Sequence, residues 1–471
     1  MKSLFKELSS LLRNSVISDE RIELLPYRDI AFPNKKSNAL AVVSPVEEKD
    51  VVELLKFCNE KALPVVPWGG GTNLCGALSP NVEHVILDLR RMKKIEVQPE
   101  KGFVLTQAGA TIEEVQRAVE REGYFFAHDP WSKKSATVGG SLALDSAGTL
   151  YPKYGSIGDM LLSLKVVLPS GKVFKLGKEL SKSSSSPPLA NLFVGSEGMF
   201  GVILEAALKI YPKPEVFKAH GYGFQSFEQL FKAVLALCQR ELLPDSFIGG
   251  TLPKRVTDHL PKKEKLLLKL GKINTGLYLC CCGKEEVVDS RLVQISKILR
   301  RYGRPLPQEY AEQWWKERHT YFETSPEIRK EELYPHVLDL TVPLDKVLEM
   351  KKWVEKLVAQ KIGGDVISHT LFTAPDAYTV AFYLKRGECV DEIEKKIYEK
   401  VVEVGGTLTR THGLGRLFSS KLIEKELGDG TLRILRQFKS MFDPNNILNP
   451  GVMNLFENHC AGGRSHEVPE N

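Results

Sequence analysis

Pro67-Trp68-Gly69-Gly70-Gly71-Thr72-Asn73-Leu74-Cys75-Gly76 lies between an apolar run at 63–67 and a strand-like segment at 85–89. Three consecutive glycines carry no Cβ atoms, so an anionic group can approach the backbone N–H donors directly. Thr72 and Asn73 add side-chain donors beside them. The stretch therefore predicts a pyrophosphate-binding turn, with a glycine-rich turn that binds nothing as the alternative. It does not match the G-x-G-x-x-G pattern of nicotinamide-binding folds, because no long helix pattern begins at its last glycine.

Length and composition indicate a globular protein of several domains. A chain of 471 residues is long enough for about two to four domains and for a deeply buried cofactor. The net charge of +6 is modest for this length, so basic stretches such as 262–265 are interpreted as solvated helix faces, and no nucleic-acid partner is expected. No segment approaches the roughly 20 continuous apolar residues of a membrane span. We expect a cytoplasmic protein, and peripheral contact with a membrane stays open.

The cysteines predict no disulfide framework and no metal cluster. They show no paired C-x-x-C spacing, and the run Cys280-Cys281-Cys282 follows a strand-like segment, where adjacent side chains point to opposite faces. We interpret them as small core residues in a reducing compartment, and iron–sulfur ligation within this chain is not expected. The eight cysteines are Cys58, Cys75, Cys238, Cys280, Cys281, Cys282, Cys389 and Cys460.

Composition shifts divide the chain into four predicted parts. A helical N-terminal extension occupies 1–37 and a first domain 38–214, which ends in a Pro- and Lys-containing linker. A second domain occupies 215–456, and the polar tail 457–471 is predicted to be disordered. The first domain begins with strand, helix, strand and Gly-rich turn, and the second mixes strand and helix signals. Both patterns favour an α+β or α/β architecture.

Several local patterns predict individual elements. Ser44-Pro45-Val46-Glu47 and Thr111-Ile112-Glu113-Glu114 both have the capping-box form of a helix start. In the second domain, the apolar run Thr275–Cys282 predicts a strand and Lys284–Arg301 predicts a helix. Together with the later strand and helix signals, these indicate a ferredoxin-like sheet layered by helices on one face.

Two further stretches are rich in small residues. The segment 135–148 follows His128-Asp129-Pro130-Trp131 and has few charges, which suits backbone packed against a flat aromatic ligand. A surface loop is the alternative. In 191–203, glycines at 195, 198 and 201 stand between apolar neighbours, which implies close backbone approach or a glycine-punctuated turn between strands.

Taken together, these motifs resemble a known family. Gly69-Gly70-Gly71-Thr72-Asn73, Ala136-Thr137-Val138-Gly139-Gly140 and Gly195-Ser196-Glu197-Gly198 are similar to the FAD-binding domain of the vanillyl-alcohol oxidase and p-cresol methylhydroxylase flavoproteins. Ile447-Leu448-Asn449-Pro450-Gly451 is similar to their C-terminal signature. The second half resembles the cap of D-lactate dehydrogenases, of the glycolate oxidase flavin subunit and of alkylglycerone-phosphate synthase.

The resemblance implies an α+β fold, with a two-subdomain FAD-binding domain of the p-cresol methylhydroxylase type and a ferredoxin-like cap that ends in a helical segment. It also implies where FAD would bind. Residues 69–76 should hold the pyrophosphate, 137–141 the ribityl and flavin side, 195–203 the adenosine end, and Asn449 the flavin rim. Some relatives attach flavin to a histidine in the loop 69–73, which contains none here, so non-covalent FAD is expected. The predicted cofactor-binding residues are Pro67, Gly69, Gly70, Gly71, Thr72, Asn73, Gly76, Pro130, Thr137, Gly139, Gly140, Ser141, Gly195, Glu197, Gly201, Val202, Ile203 and Asn449.

The predicted catalytic residues are His412, Arg318, Arg416 and Tyr378. By resemblance, the histidine of the Thr411-His412-Gly413 turn faces the flavin, and an imidazole suits proton removal from a hydroxyl while hydride leaves for the flavin. The two arginines are candidates for gripping a substrate carboxylate or phosphate. Tyr378 follows Ser368-His369 in a pattern similar to the synthase cap. The alternatives are a structural histidine and surface arginines.

Metal-assisted 2-hydroxyacid dehydrogenases of this family carry H-x6-H and a glutamate before the catalytic His-Gly. Here His369 could supply the first ligand, but Asp376 and Thr411 stand at the other positions. One histidine cannot build a site that needs three protein ligands, so a metal-free enzyme is predicted.

Three functions follow from the resemblance. The first is FAD-dependent oxidation of a small 2-hydroxy acid of the glycolate or D-lactate type. The second is a transferase like alkylglycerone-phosphate synthase, with a phosphorylated substrate; its relatives usually carry a run of histidines where this chain has only His412. The third is a flavin subunit with little catalysis of its own, beside an iron–sulfur electron-transfer partner. A homodimer is compatible with all three.

Overall fold

The computed structural model describes residues 2–456 except 13, 33–34, 36, 181, 252–272, 321–332, 363–366 and 386–390. The tail predicted to be disordered, 457–471, lies outside the described residues. The helices are Lys2–Leu11, Arg21–Leu24, Glu48–Glu60, Ile112–Arg121, Val138–Ala143, Tyr151–Tyr154, Phe227–Cys238, Glu285–Leu299, Gln308–Glu317, Val347–Ile362, Asp391–Glu403 and Ser420–Phe442. The strands are β1 Val16–Ser18, β2 Ala39–Ser44, β3 Val65–Trp68, β4 His84–Asp88, β5 Ile95–Gln98, β6 Phe103–Gln107, β7 Tyr124–Phe125, β8 Leu161–Val167, β9 Val173–Gly177, β10 Val202–Lys209, β11 Tyr211–Pro212, β12 Val216–Phe224, β13 Ser246–Thr251, β14 Thr275–Gly283, β15 Arg304–Pro305, β16 Leu333–Thr341, β17 Ile367–Phe372 and β18 Ala377–Lys385.

Two sheets of the first half share one core, and β7 pairs with β11 in a separate two-stranded sheet. A four-stranded sheet has the order β1-β2-β4-β3, in which β2 and β3 both run parallel to β4. A five-stranded antiparallel sheet has the order β5-β6-β10-β8-β9. The helix Glu48–Glu60 connects β2 to β3 and buries Val51, Leu54, Leu55 and Cys58 completely. This connection places the glycine turn directly after β3, at the end of a parallel strand.

The two predicted capping boxes have different outcomes. Thr111 caps the helix Ile112–Arg121 reciprocally with Glu114, as predicted. The prediction at Ser44 is wrong. The helix there begins at Glu48 without a side-chain cap, and the Ser44 hydroxyl instead donates to Asp88 on β4, at 3.4 Å.

The second half forms a seven-stranded antiparallel sheet with the order β15-β12-β14-β13-β17-β18-β16. The helices Phe227–Cys238, Glu285–Leu299, Val347–Ile362 and Asp391–Glu403 pack against one face and form a separate core. The strand and helix predicted over 275–301 are confirmed as β14 and Glu285–Leu299. Cys281 lies in this core and Cys280 on the opposite face with Ala311, as strand alternation requires. The predicted α+β fold, with helices layered on one face of the second-half sheet, is confirmed, and this sheet is a large antiparallel one.

The C-terminal segment returns to the first half. Leu422, Ile423 and Leu432 of the helix Ser420–Phe442 lie in the core of the two N-terminal sheets. After this helix, the Val65 N–H donates to Ile447 O at 2.8 Å and the Asn449 N–H to Val65 O at 2.9 Å. The chain end is thereby tied to β3, immediately before the glycine turn.

Candidate functional site

A cavity of about 820 Å³ separates the glycine turns of the first half from the second-half sheet. This volume falls within the range of cofactor and ligand sites. We call the lining residues of the segments 67–73, 136–141 and 196–203 the cradle. We call the facing residues of the second half the roof: Asp339, Phe372, Tyr398, Arg410, Thr411 and His412.

Most of the predicted cofactor-binding residues line this cavity. Gly76 and Gly195 do not; the Gly76 backbone, at φ 74°, packs against the Phe32 ring. The predicted residues in the lining are Pro67, Gly69, Gly70, Gly71, Thr72, Asn73, Pro130, Thr137, Gly139, Gly140, Ser141, Glu197, Gly201, Val202, Ile203 and Asn449. The predicted catalytic residue in the lining is His412.

The glycines of the cradle are needed where two loops pack together. A Cβ atom on Gly69 would overlap the Thr137 hydroxyl, and one on Gly70 would overlap the Ser135 carbonyl. Both side chains would collide with the segment 135–137. The glycines therefore do more than expose N–H donors: they allow the loop at 69–71 to lie on the segment 135–137, and this packing leaves its backbone at the cavity wall.

The backbone N–H groups of Gly69–Asn73 differ from those of the second glycine turn. Among the described residues, none of the N–H groups of 69–73 donates a hydrogen bond. In contrast, the Val138 N–H donates to Ala110 O at 2.9 Å and the Gly139 N–H to Ala108 O at 2.8 Å. The Gly140 N–H donates to the Thr137 hydroxyl. Unpaired N–H donors beside a cavity are suited to an anionic ligand. The first turn therefore provides hydrogen-bond donors for a ligand, whereas the N–H groups of the second turn are already bonded and this turn provides only contact surface.

Glu197 connects the cradle to the roof. It is a non-glycine residue with φ 50°, and its carboxyl group accepts hydrogen bonds from the Leu414 and Gly415 N–H groups at 2.8 and 2.9 Å. Burial raises the pKa of the Glu197 carboxyl to about 7, although these hydrogen bonds and the charge of Arg416 lower it. The Glu197 side chain thereby fixes the backbone that directly follows His412.

Asn449 is placed in the lining by a buried ion pair. The Lys439 ammonium lies 2.5 Å from Asp443 and also donates to Leu448 O and Met199 O. Asp443 in turn accepts from the Leu448 N–H at 2.7 Å. The Asn449 side chain then donates to Glu197 O at 2.8 Å. One buried lysine therefore organises the C-terminal turn that reaches the cavity.

His412 stands in a polar cluster of the roof. Its Nδ1 lies 3.8 Å from the Asp339 carboxylate, and its side chain is 36% exposed. The same Asp339 oxygen accepts a hydrogen bond from the Thr411 hydroxyl at 2.5 Å. Sequence reasoning missed Asp339, which lies on β16 far from 411–412. No local signal marks it, because the antiparallel bridge between Thr341 and Thr407 brings the two segments together.

Arg410 is the second residue that sequence reasoning missed. It lines the cavity two positions before His412, its guanidinium donates to the Thr373 hydroxyl, and its carbon Cζ lies 5.0 Å from the centre of the Tyr151 ring. Its position in the Thr411-His412-Gly413 neighbourhood was a usable signal.

The other two predicted arginines have their guanidinium groups engaged outside the lining. Arg318 donates to the buried Asp129 at 2.8 Å and to Trp315 O at 2.7 Å. Burial raises the pKa of the Asp129 carboxyl, but His319 and the neighbouring cations hold it well below its usual range. Arg318 thus joins the first half to the helix Gln308–Glu317.

Arg416 donates to four oxygens, the carbonyls of Gly76, Ala77 and Pro450 and the Asn449 side chain. It therefore ties the C-terminal turn to the end of the first glycine loop. Burial lowers the pKa of the Arg416 guanidinium to about 10, although Glu197 raises it.

Tyr378 and His369 are buried behind the roof. The Tyr378 hydroxyl lies 2.6 Å from His369 Nδ1, and both side chains are inaccessible to solvent. Burial lowers the pKa of His369 to about 3. Within the described ranges, no three side chains of His, Cys, Asp or Glu are grouped so that they could hold a metal ion. Among the helices that the structure describes, none has the length and apolar content of a membrane span.

Comparisons with known proteins agree with this geometry. Residues 39–177 match the family model "FAD binding domain", and residues 213–453 match "FAD linked oxidases, C-terminal domain". The chain is 29% identical over 450 residues to the glycolate oxidase subunit GlcD of Bacillus subtilis (strain 168), with 92% of this chain and 93% of that protein covered. It is also 29% identical over 469 residues to a D-lactate dehydrogenase of Anaerostipes hadrus, with 95% of each covered.

A solved structure of an alkyldihydroxyacetonephosphate synthase superposes with a TM-score of 0.76 at 21% identity, covering 96% of this chain and 84% of that one. At this identity the likeness concerns the fold.

Proposed function

The chain belongs to the FAD-linked oxidases, and from this premise we propose that it oxidises a small 2-hydroxy acid of the glycolate or D-lactate type. The proposal rests on one observation: the backbone donors of 69–73 and the imidazole of His412 line the same cavity. Relatives that are 29% identical carry the names glycolate oxidase subunit and D-lactate dehydrogenase, which supports this substrate class.

The residues of the cradle fit FAD held non-covalently. The N–H groups of Gly69–Asn73 would bind the pyrophosphate, and the small residues of 136–141 leave a flat wall for the ring system. The loop 69–73 has no histidine that could form a covalent bond to flavin. When bound, FAD would supply the acceptor for the hydride that leaves the alcohol carbon.

His412 is proposed to remove the proton from the substrate hydroxyl. Its Nδ1 faces Asp339, so Nε2 on the opposite edge of the ring is available to accept the proton. At 3.8 Å from Nδ1, the Asp339 carboxylate is too distant for a hydrogen bond, but it is placed to balance the charge of the imidazolium that would form, as a carboxylate does beside a catalytic histidine. The substrate thus loses a hydride from carbon and a proton from oxygen, and a 2-keto acid results.

Anaerobic mixing tests the proposal. The purified yellow protein is mixed under argon with glycolate, D-lactate or L-lactate, and the flavin absorbance is followed. We expect bleaching by at least one of these acids, and different rates for the two lactate enantiomers. If no 2-hydroxy acid bleaches a protein that holds stoichiometric FAD, the proposal is wrong.

A synthase-like transferase is the second candidate. The lining from the second half also includes the apolar residues Val337, Phe372 and Phe418, which would suit a long alkyl chain. Exchange of the acyl group of an acyl-dihydroxyacetone phosphate for a fatty alcohol, without net flavin bleaching, would favour this function. FAD binding with neither activity would favour the third candidate, a flavin subunit that needs an electron-transfer partner.

We also propose that the reaction requires no metal ion. His369 is buried and bonded to Tyr378, and Thr411 is bonded to Asp339, so neither is free to bind a metal without rearrangement. Prolonged treatment with EDTA or dipicolinate should therefore leave the rate of flavin reduction unchanged. A loss of rate that zinc restores would contradict this.

A further inference from the structure

Arg410 is a cation of the roof that the proposed reaction does not use. Its backbone N–H donates to Asp339 O at 3.1 Å, which anchors it beside the carboxylate that faces His412. Its guanidinium reaches Thr373, a buried residue of the second half, and lies over the ring of Tyr151 from the first half. The side chain is thus held between the two halves, and Arg410 is part of the cavity lining.

The arginines near the cavity differ in how many of their donors are satisfied. Arg416 and Arg318 each donate to two or more protein oxygens. For Arg410, Thr373 is the acceptor found among the described residues. A guanidinium carries five N–H donors in a planar fork, so most of the donors of Arg410 have no partner within the described ranges.

The charge of Arg410 is also incompletely compensated. Burial lowers the pKa of its guanidinium, although Asp339, Tyr151 and Asp376 raise it. Among the described residues, no carboxylate oxygen lies within 4.0 Å of the guanidinium nitrogens of Arg410. The group that raises this pKa most, the Asp339 carboxylate, is bonded to Thr411 and faces His412. A half-buried cation with free donors in a cavity lining is suited to a ligand carboxylate. Such a carboxylate would compensate the charge and accept hydrogen bonds from the free N–H groups of the guanidinium.

We infer that Arg410 binds the carboxylate of the substrate while His412 holds its hydroxyl. Arg410 and His412 lie two positions apart and line the same cavity, so a small substrate that reaches both would carry its carboxylate and its hydroxyl close together, as a 2-hydroxy acid does. Arg410 then selects 2-hydroxy acids over simple alcohols and over 2-hydroxy esters. This inference rests on the proposed function and names the residue that would determine its substrate class.

The test compares Arg410→Gln and Arg410→Lys with wild type, with Arg304→Gln in the exposed strand β15 as the matched control. All four proteins should bind FAD and have similar Tm. We expect Arg410→Gln to weaken binding of the 2-hydroxy acid about 10- to 100-fold, the effect of losing a charge-assisted pair. The affinity of Arg410→Lys should lie between those of wild type and Arg410→Gln, because lysine keeps the positive charge but lacks the planar pair of N–H donors. Arg304→Gln should behave as wild type.

A specificity measurement separates anchoring from a structural role. Wild type should prefer the free acid over its methyl ester, and Arg410→Gln should lose most of this preference. An unchanged preference in both Arg410 variants would overturn the inference, even if both reduce flavin more slowly.

Oxalate separates the failure of this inference from the failure of the proposed function. Oxalate carries two adjacent carboxyl groups and cannot be oxidised as an alcohol, so a shift in the flavin spectrum reports its binding alone. If 2-hydroxy acids never bleach the flavin but oxalate shifts the spectrum of wild type and not of Arg410→Gln, the anion site stands and the function is wrong. If 2-hydroxy acids bleach the flavin of both proteins and bind to both with equal affinity, the proposed function is supported and the role of Arg410 as the carboxylate site is wrong. Competition by inorganic phosphate but not by oxalate would overturn the carboxylate assignment.

Discussion

The cradle and the roof face each other across one cavity, and they are built from different kinds of groups. The cradle presents backbone N–H donors, those of Gly69–Asn73, which have no acceptors among the described residues. The roof presents side chains, Asp339, Arg410 and His412, which lie close to one another. Backbone donors suit a ligand that is held unchanged, and ionisable side chains suit a ligand that exchanges protons.

This difference predicts that cofactor binding and chemistry can be lost separately. A change in the cradle should remove FAD and with it all activity. A change in the roof should leave the protein yellow and slow its reduction. Glu197 is the exception, because it belongs to the cradle and its carboxyl group binds the Leu414 and Gly415 N–H groups, which follow the roof residue His412 in the chain.

The largest effect is expected from Gly70→Val. A Cβ atom at this position would overlap the Ser135 carbonyl, so the loop 69–71 must separate from 135–137 and the donors would lose their arrangement. We expect a protein that purifies colourless and does not take up FAD on reconstitution, as measured by the absence of flavin absorbance from the protein fraction.

Gly276→Ala is the matched control. Gly276 lies in β14, and a Cβ atom there would meet nothing within 4 Å. This variant should bind FAD as wild type does. Normal FAD content in Gly70→Val would contradict the packing argument.

The next effect is expected from His412→Ala. Removing a general base slows proton transfer by about 10²- to 10⁴-fold, and the cradle is unchanged, so the protein should stay yellow. Stopped-flow reduction under argon measures the rate, and bound FAD is measured on the same sample. His220→Ala on β12, outside the lining, should reduce at the wild-type rate. Wild-type reduction by His412→Ala would show that another group takes the proton.

Sequence patterns predicted several local elements correctly. The glycine turn, the capping box at Thr111 and the strand and helix over 275–301 depend on neighbours close in the chain, which the sequence displays. The error at Ser44 has a long-range cause, since Asp88 on a neighbouring strand accepts a hydrogen bond from its hydroxyl. The sequence also could not distinguish the unpaired N–H groups of 69–73 from the paired ones of Val138 and Gly139, because the acceptors at Ala110 and Ala108 lie on another segment.

The roof was harder to predict because its members come from distant segments. Arg318 and Arg416 stood next to aromatic and glycine residues and suggested ligand binding. Their guanidinium groups are taken up by Asp129 and by carbonyls of the loop after β3, which no local pattern reveals. Asp339 reaches His412 only because β16 runs beside the segment 407–411. Side-chain sites assembled across a sheet require the pairing to be known first.

A smaller effect on FAD binding is expected from Lys439→Met. Removing one partner of a buried ion pair costs about 3–5 kcal/mol, because the other charge is left uncompensated. Lys439 and Asp443 are 2% and 1% exposed, and the turn that carries Asn449 depends on them. We expect a lower Tm and weaker FAD binding, with a normal reduction rate for the fraction that holds FAD. Lys425→Met, on the exposed face of the same helix, should change neither quantity. Equal Tm values for both variants would contradict the structural role of the pair.

The smallest expected effect is the pH dependence that Glu197 contributes. Burial raises the pKa of its carboxyl from 4.5 to about 7 in the folded protein. Between these values the folded state holds a proton that the unfolded state has released, so the free energy of unfolding falls as pH rises from about 4.5 to about 7 and is then constant. The full change is roughly 3 kcal/mol.

Glu197→Gln keeps an oxygen that can accept from the Leu414 or Gly415 N–H but cannot titrate. The Tm of the variant minus that of wild type, measured at intervals from pH 5 to pH 8, should therefore increase as the pH rises to about 7 and then stay constant. Comparing differences removes the contribution of the other carboxyl groups, which both proteins share. Glu424→Gln, on the exposed face of the helix Ser420–Phe442, should give a curve parallel to wild type. A parallel curve for Glu197→Gln as well would mean that Glu197 is ionised throughout this range. The Leu414 and Gly415 N–H groups and Arg416 would then stabilise the charged carboxylate by more than its burial destabilises it.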